Sequence, residues 1–361
     1  MATLTTVLTT KLVSGPAHRF NCGVHKAMPV PETNYSPPFN ITRASHIRLT
    51  VRDLPRAREF YTEVIGLLVS DEDTGVVYLR GVEESCHHSL VLKTTKEAPV
   101  CEAIGFRVFR DEDLDAAKSY FDQIGIEARW TKADFQGRTL ELRDPAGIPI
   151  ELCASMPTQP RLHDRPHLHR GAGALRYDHV QCLMPEVAKA SRFYTDLGFR
   201  ISDYFVDRPE EEEPLGIFLY RKNNPHDIVF LTRPGPTMHH FGYIVSDVNC
   251  LFRALDTAGA IGFSRNFERG PGRHGQGHAF YVYFRDPDGH RVEILPPPIQ
   301  IIDIDDKPVK WHAGNRFTWD LPPSRKWLRE ATPFQGTTIS EPAHDPKLFS
   351  LEDFLAAQES S

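Results

Sequence analysis

Cysteine is sparse and unpatterned in this chain. Six residues (Cys22, Cys86, Cys101, Cys153, Cys182, Cys250) are scattered through 361 positions with no C-x-x-C pair, which fits reduced thiols in a cytosolic (cytoplasmic) protein. Long apolar runs are missing as well. No stretch approaches the roughly 20 residues a spanning helix needs, so a membrane partner is not expected. A long basic run is absent and the formal charge is -6, so nucleic acid is not an expected partner either. Acid is missing from the first 31 residues, Glu32 being the first. That threonine-rich opening weakly resembles a transit peptide. Pro29, Pro31, Pro37 and Pro38 follow without helical periodicity, which favours a flexible N-terminal arm over residues 1–44.

What is present is a repeat. The first unit opens on the alternating stretch His46 to Val51 and continues in a helical pattern from Leu54 to Ile65 that Gly66 caps. Three short strands follow, near 67–71, 76–79 and 87–92. A second βαβββ unit runs from the strand Ala103–Val108 through the helix Leu114–Ile124 to a strand ending at Leu152. After a Pro-rich linker (157–173) the pattern restarts at Tyr177–Leu183, with a helix from Glu186 to Leu197. Arg192-Phe-Tyr-Thr195 answers Arg58-Glu-Phe-Tyr-Thr62. Asp144-Pro-Ala-Gly147 precedes Glu151 at the spacing by which Asp286-Pro-Asp-Gly289 precedes Glu293. The fold class expected is α+β: four βαβββ modules in two domains, 45–156 and 174–296, each a curved sheet around a cavity. A lid and tail (297–361), carrying Trp311, Trp319 and Trp327, should pack over the second cavity.

The fourth module holds the most distinctive stretch, Arg269 to Glu293. It reads as a basic glycine-rich loop, an aromatic strand from Phe280 to Arg285, a tight turn, and a second strand in which Glu293 sits among Val292, Ile294 and Leu295. A carboxylate flanked in this way needs a cationic partner. Taken alone, it reads as a salt bridge to an arginine, and a lone strand histidine as a hydrogen-bonded core residue. The repeat changes the balance. His179 opens the third module as His46 opens the first, and Glu293 closes the fourth as Glu151 closes the second. Where the first half has Ala103 before Gly105, the second has His239-His240 before Gly242. Strand alternation puts the tandem histidines on opposite faces, and counting back from the glycine favours His240. His179, His240 and Glu293 on separate strands form a two-histidine, one-carboxylate set that leaves coordination positions open for substrate and dioxygen.

These residues, with Met238-His-His240 and the run from Arg269-Gly-Pro-Gly-Arg-His-Gly275 to Glu293, resemble the type I extradiol ring-cleaving dioxygenases of the vicinal oxygen chelate superfamily. The likeness is to the homoprotocatechuate (3,4-dihydroxyphenylacetate) 2,3-dioxygenase branch, over residues 45–295 with a looser match in the tail. It implies two vicinal-oxygen-chelate domains, the first without a metal site. It also implies Fe(II), or Mn(II), on His179, His240 and Glu293. His226 falls on the family's acid/base, Tyr283 on its active-site tyrosine, His274 and Arg269 on pocket residues, and Arg316 on a tail arginine that reaches a substrate carboxylate. Gln181 stands where close relatives carry Asn, and Phe218 where they carry Trp; both are placed in the pocket. The implied reaction is extradiol (meta) cleavage of a catecholic substrate, 3,4-dihydroxyphenylacetate or a related substituted catechol, with dioxygen to a hydroxymuconic semialdehyde. A homo-oligomer, a tetramer in many relatives, is implied too. The rival readings are a glyoxalase-type isomerase, a 4-hydroxyphenylpyruvate-type dioxygenase, which needs a 2-oxo acid, and a non-catalytic protein that binds a small aromatic.

Overall fold

The structure is a computed structural model that describes residues 30–312, 319–344, 346 and 348–359. Residues 1–29 of the expected arm, and Arg316, lie outside the described residues. In the first half, β1 (Ile41–Val51), β2 (Leu68–Asp73), β3 (Val76–Arg80) and β4 (Leu90–Thr94) form one module. The second consists of β5 (Cys101–Val108), β6 (Ala128–Thr131), β7 (Thr139–Arg143) and β8 (Pro149–Cys153). Their sheet runs β2-β3-β4-β1-β5-β8-β7-β6, so each module is laid out from its first strand outwards and the two first strands pair antiparallel.

The second half repeats this plan. It uses β9 (Arg176–Met184), β10 (Arg200–Phe205), β11 (Gly216–Tyr220) and β12 (Ile228–Thr232), then β13 (Thr237–Ile244), β14 (Phe267–Arg273), β15 (Phe280–Arg285) and β16 (Arg291–Leu295). Here β9 and β13 are the antiparallel central pair. Two strands of the tail join the same sheet: β17 (Val309–Trp311) beside β10, and β18 (Thr332–Pro333) beside β13.

One helix follows each opening strand: α1 (Leu54–Glu59), α2 (Asp111–Gln123), α3 (Val187–Asp196) and α4 (Asn249–Ala260). The helical pattern read over 54–65 resolves into α1 and a π-helical turn, Phe60–Ile65, which swings Phe60, Tyr61, Val64 and Ile65 into the interior. Gly66 then adopts φ +83°, where a β-carbon would lie 2.1 Å from the Arg170 carbonyl oxygen. Only glycine fits there. A single apolar cluster runs through both halves, with Phe60 against Phe284 and Phe106 against Phe199.

Three details differ from the sequence reading. The part of the arm that is described is seated, with Phe39 buried and the Asn34 amide donating to the Thr195 carbonyl at 3.0 Å. The stretch read as a basic loop is mostly the edge strand β14, whose ladder is broken by register shifts around Gly270 and Pro271; an edge position tolerates a residue with no N–H to give. The tail adds two more helices, α5 (Arg325–Arg329) and α6 (Leu351–Glu359). Among the described residues no helix is long and apolar enough to cross a membrane.

Candidate metal centre

Three adjacent strands build the centre. In cross-strand register His179 of β9 faces Gly242 of β13, and Gly242 faces Glu293 of β16. The middle of this row must be bare, because a β-carbon on Gly242 would lie 2.4 Å from His179 Cε1. The imidazole occupies that space and turns towards Glu293. His240, two residues before Gly242, completes the set.

The geometry is a nearly equilateral triangle. His179 Nε2, His240 Nε2 and Glu293 Oε2 are 3.2 Å apart pairwise, and all three residues are buried. The edge between cis ligands of an octahedral ion with bonds of roughly 2.1 Å is about 3 Å. Hydrogen bonds fix which nitrogens carry protons. His179 Nδ1–H donates to Asp178 Oδ2 at 2.9 Å. His239 Nε2–H donates to the Trp327 carbonyl at 3.0 Å, so the 2.7 Å contact between His239 Nδ1 and His240 Nδ1 takes its proton from His240. With both imidazoles neutral, both Nε2 lone pairs would face Glu293. Three such donors repel one another unless a cation lies between them, and a divalent ion fits this donor set.

Where no cation lies in the triangle, a proton takes its place. Burial alone would raise the Glu293 carboxyl, but the facing imidazoles of His179, His240 and His274 hold it well below the usual range. Burial also opposes charge on His179, and the carboxylates of Asp178 and Glu293 outweigh it and push the imidazole up, so a divalent ion would enter by displacing the His179 Nε2 proton. Burial pushes His239 and His240 down, so His239 is neutral. Asp178 extends the network, accepting from Asn224 Nδ2 at 2.7 Å.

The other described residues singled out by sequence as site residues fall around one cavity of ≈ 110 Å³ beside the triangle. That is well below the roughly 300–1,000 Å³ of sites for drug-sized ligands, a size for one aromatic ring. His226 stands with its ring 4.3 Å from that of His179 and 5.4 Å from that of Phe218, and its buried Nδ1 has no hydrogen-bond partner among the described residues. Tyr283 is the cross-strand neighbour of Glu293, with its hydroxyl 3.0 Å from His274 Nε2. His274 Nε2 is also 3.3 Å from Glu293 Oε1. Gln181 and Phe218 line the wall, while Trp327 and Leu328 of α5 close one side. Arg269 lines the cavity too, but its Nη2 is engaged by Asp320 Oδ2 at 2.9 Å and by the Leu321 carbonyl at 2.9 Å.

Sequence reasoning missed Asp178, Asn224, Asp320 and the part played by His239. Asp178 had a signal in its position beside His179, since metal-ligating histidines usually donate to a carboxylate. His239 corrects the expectation of opposite faces. The register of β13 slips between Met238 and His240, and such a bulge breaks strict alternation, so both rings are buried and in contact.

The first half carries the same row with a different outcome. His46, Gly105 and Glu151 are aligned across β1, β5 and β8, and His46 Nε2 lies 2.9 Å from Glu151 Oε2. Ala103 stands opposite Arg48 as His240 stands opposite Gln181. The Arg48 guanidinium donates to both Glu151 and Glu102, supplying the positive charge. Both groups of described residues able to hold an ion lie in the second half: the triangle, and one of Asp178, His179 and His226 that shares His179 with it.

Comparison with known proteins adds to this geometry. The sequence model of the Glyoxalase/Bleomycin resistance protein/Dioxygenase superfamily matches residues 43–152 and 176–294. The chain is 27% identical over 287 residues to a manganese-dependent 2,3-dihydroxybiphenyl 1,2-dioxygenase of Geobacillus genomosp. 3, covering 75% of this chain and 90% of that one. A variant of homoprotocatechuate 2,3-dioxygenase from B. fuscum superposes with a TM-score of 0.83 at 32% identity, covering 88% of this chain and 91% of that one. The anaerobic complex of homoprotocatechuate 2,3-dioxygenase from Brevibacterium fuscum with 3,4-dihydroxyphenylacetate superposes with a TM-score of 0.80 at 32% identity, over 86% and 99% of the two chains.

Proposed function

Since the chain belongs to the glyoxalase/bleomycin resistance protein/dioxygenase superfamily and, within it, to the extradiol ring-cleaving dioxygenases, we propose that His179, His240 and Glu293 hold its divalent ion and that the cavity beside them receives a catechol. The enzyme opens an aromatic diol with dioxygen, both oxygen atoms ending in a hydroxymuconic semialdehyde. The cofactor is Fe(II), with Mn(II) the alternative known from the manganese-dependent relative. When bound, the ion supplies Lewis acidity to the diol and a route for electrons from the ring to dioxygen. The observation that carries this reading is the buried triangle of donors with 3.2 Å edges opening on a cavity for one ring.

The remaining work falls to side chains. His226 faces the cavity with a free Nδ1 and is neutral, because burial and the neighbouring His179 hold its pKa well down. It is the group to take a proton from the diol and return it when the O–O bond breaks. The Tyr283 hydroxyl, held by His274, orients the substrate oxygens. Phe218, Leu231, Trp327 and Leu328 shape the ring site and keep water out. The substituted catechol 3,4-dihydroxyphenylacetate, bound by the structural relative, is the first compound to test.

The test is anaerobic loading with Fe(II), then air and a panel of catechols, following yellow product and dioxygen uptake. One dioxygen consumed per ring opened is the expected result. Retention of the ion with no catechol consumed, or a requirement for a 2-oxo acid, would reject the reading. In the same assay His226→Phe should keep its metal content and lose about 10²- to 10⁴-fold in turnover.

A further inference from the structure

Arg269 is the sole lysine or arginine among the described residues that line the cavity. The likeness to extradiol enzymes made it a pocket residue, where a guanidinium could meet a substrate carboxylate, yet in the structure its charge is already matched. Asp320, from the tail, accepts from its guanidinium at 2.9 Å and also from the Tyr281 hydroxyl. The Leu321 carbonyl takes the same Nη2 at 2.9 Å. The guanidinium lies over the rings of Tyr281 and Trp327, at 4.8 and 5.1 Å. Only 12% of the Arg269 side chain and 6% of that of Asp320 is exposed, so little water screens the pair. Away from the metal ligands the wall is largely apolar: Phe205, Phe218, Val229, Leu231, Leu295 and Leu328. The other polar groups of the wall are Gln181, His226, His274, Gln276 and Tyr283, so a carboxylate entering this space would either displace Asp320 or go without a guanidinium or ammonium partner in a mostly apolar site, and both are costly.

We propose that Asp320 is a specificity-determining residue, which by occupying Arg269 makes the cavity select catechols with an uncharged alkyl or aryl substituent over those that carry a carboxylate. The inference rests on the extradiol reading and narrows its substrate class. Arg316, which the likeness assigned to a substrate carboxylate, lies outside the described residues and is tested as a separate arm.

The experiment uses the full chain loaded with Fe(II) and three probes: 3,4-dihydroxyphenylacetate, its methyl ester and 4-ethylcatechol. Two quantities are measured, kcat/KM in air and affinity by anaerobic titration. The native chain should prefer the ester and the ethyl compound to the acid by roughly 10- to 100-fold. Asp320→Asn should lower that ratio about tenfold or more by releasing Arg269, and Asp320→Ser should move it the same way. An acid handled as well as its ester overturns the proposal, as does a ratio that neither Asp320 variant moves or an acid preference that Arg316→Gln abolishes. Those results leave extradiol cleavage standing. Failure to bind or open any of the three rings removes the extradiol reading and this inference with it.

Discussion

Ala103 and His240 occupy the same place in their halves, and the chemistry of the two centres diverges there. With a methyl group at that place, Glu151 is left to His46 and Arg48; with an imidazole, Glu293 gains a second histidine beside His179. His240→Ala should therefore abolish retention of Fe(II) or Mn(II) through desalting, whereas His46→Ala should retain a full equivalent, as read by metal analysis. Metal loss from the His46 variant would mean that the ion belongs to the other half. The three converging residues were legible before any coordinates because the chain carries its own comparison: a repeat in which one copy has the residues and the other does not. Asp178 and His239 were not legible in this way. Each sits where the strand register slips by one residue, and the alternation that locates a side chain from sequence fails at such a slip. Ser45 and Glu102 sit at the matching slips of the first half, so the irregularity belongs to the repeat.

At the scale of elements, the tail helix α5 is wired to the proposed metal ligands through its backbone. The Trp327 carbonyl accepts from His239, and His239 fixes the His240 proton. Arg291, fully buried, donates to the His239 and Glu330 carbonyls at 3.1 and 2.9 Å, tying helix and strand together. His239→Phe removes this relay while filling a similar volume, and should weaken metal binding by roughly 10- to 100-fold in a chelator-competition titration. His239→Gln, which offers an amide to the same carbonyl, should recover part of the loss. Equal affinities in all three proteins would show that the contact is packing alone. The helices and most strands could be read from apolar periodicity. The docking of α5 could not, because it depends on main-chain carbonyls that no side-chain pattern encodes.

At the scale of the molecule, the two repeated motifs that stood out in the sequence turn out to meet crosswise. Tyr61 of the first module donates to Asp286 of the fourth at 3.0 Å, and Tyr194 of the third donates to Asp144 of the second at 3.1 Å. The F-Y-T and D-P-x-G signatures are thus two halves of a buried clasp that joins the domains, away from the candidate metal centre. Burial pushes the Asp144 carboxyl up to about 6, against the amides of Ile148 and Ala146 and the Tyr194 hydroxyl that favour its anion. Since this pKa is raised on folding, the group's contribution is complete below about pH 4 and is lost as pH rises through 6, a change of roughly 3 kcal/mol. Denaturant midpoints of the native chain, taken relative to Asp144→Asn, should fall between pH 4 and 6 and stay level above. Parallel curves for the two proteins would show that the carboxyl does not titrate in that window.

Arg48 gives the first half a cation that is covalently part of the chain. The crossed tyrosines tie this half to the one in which Glu293 faces imidazoles and, among the described residues, no guanidinium. The first half therefore closes its carboxylate with groups of the chain itself, while the matching carboxylate of the second half is left to an ion that can come and go.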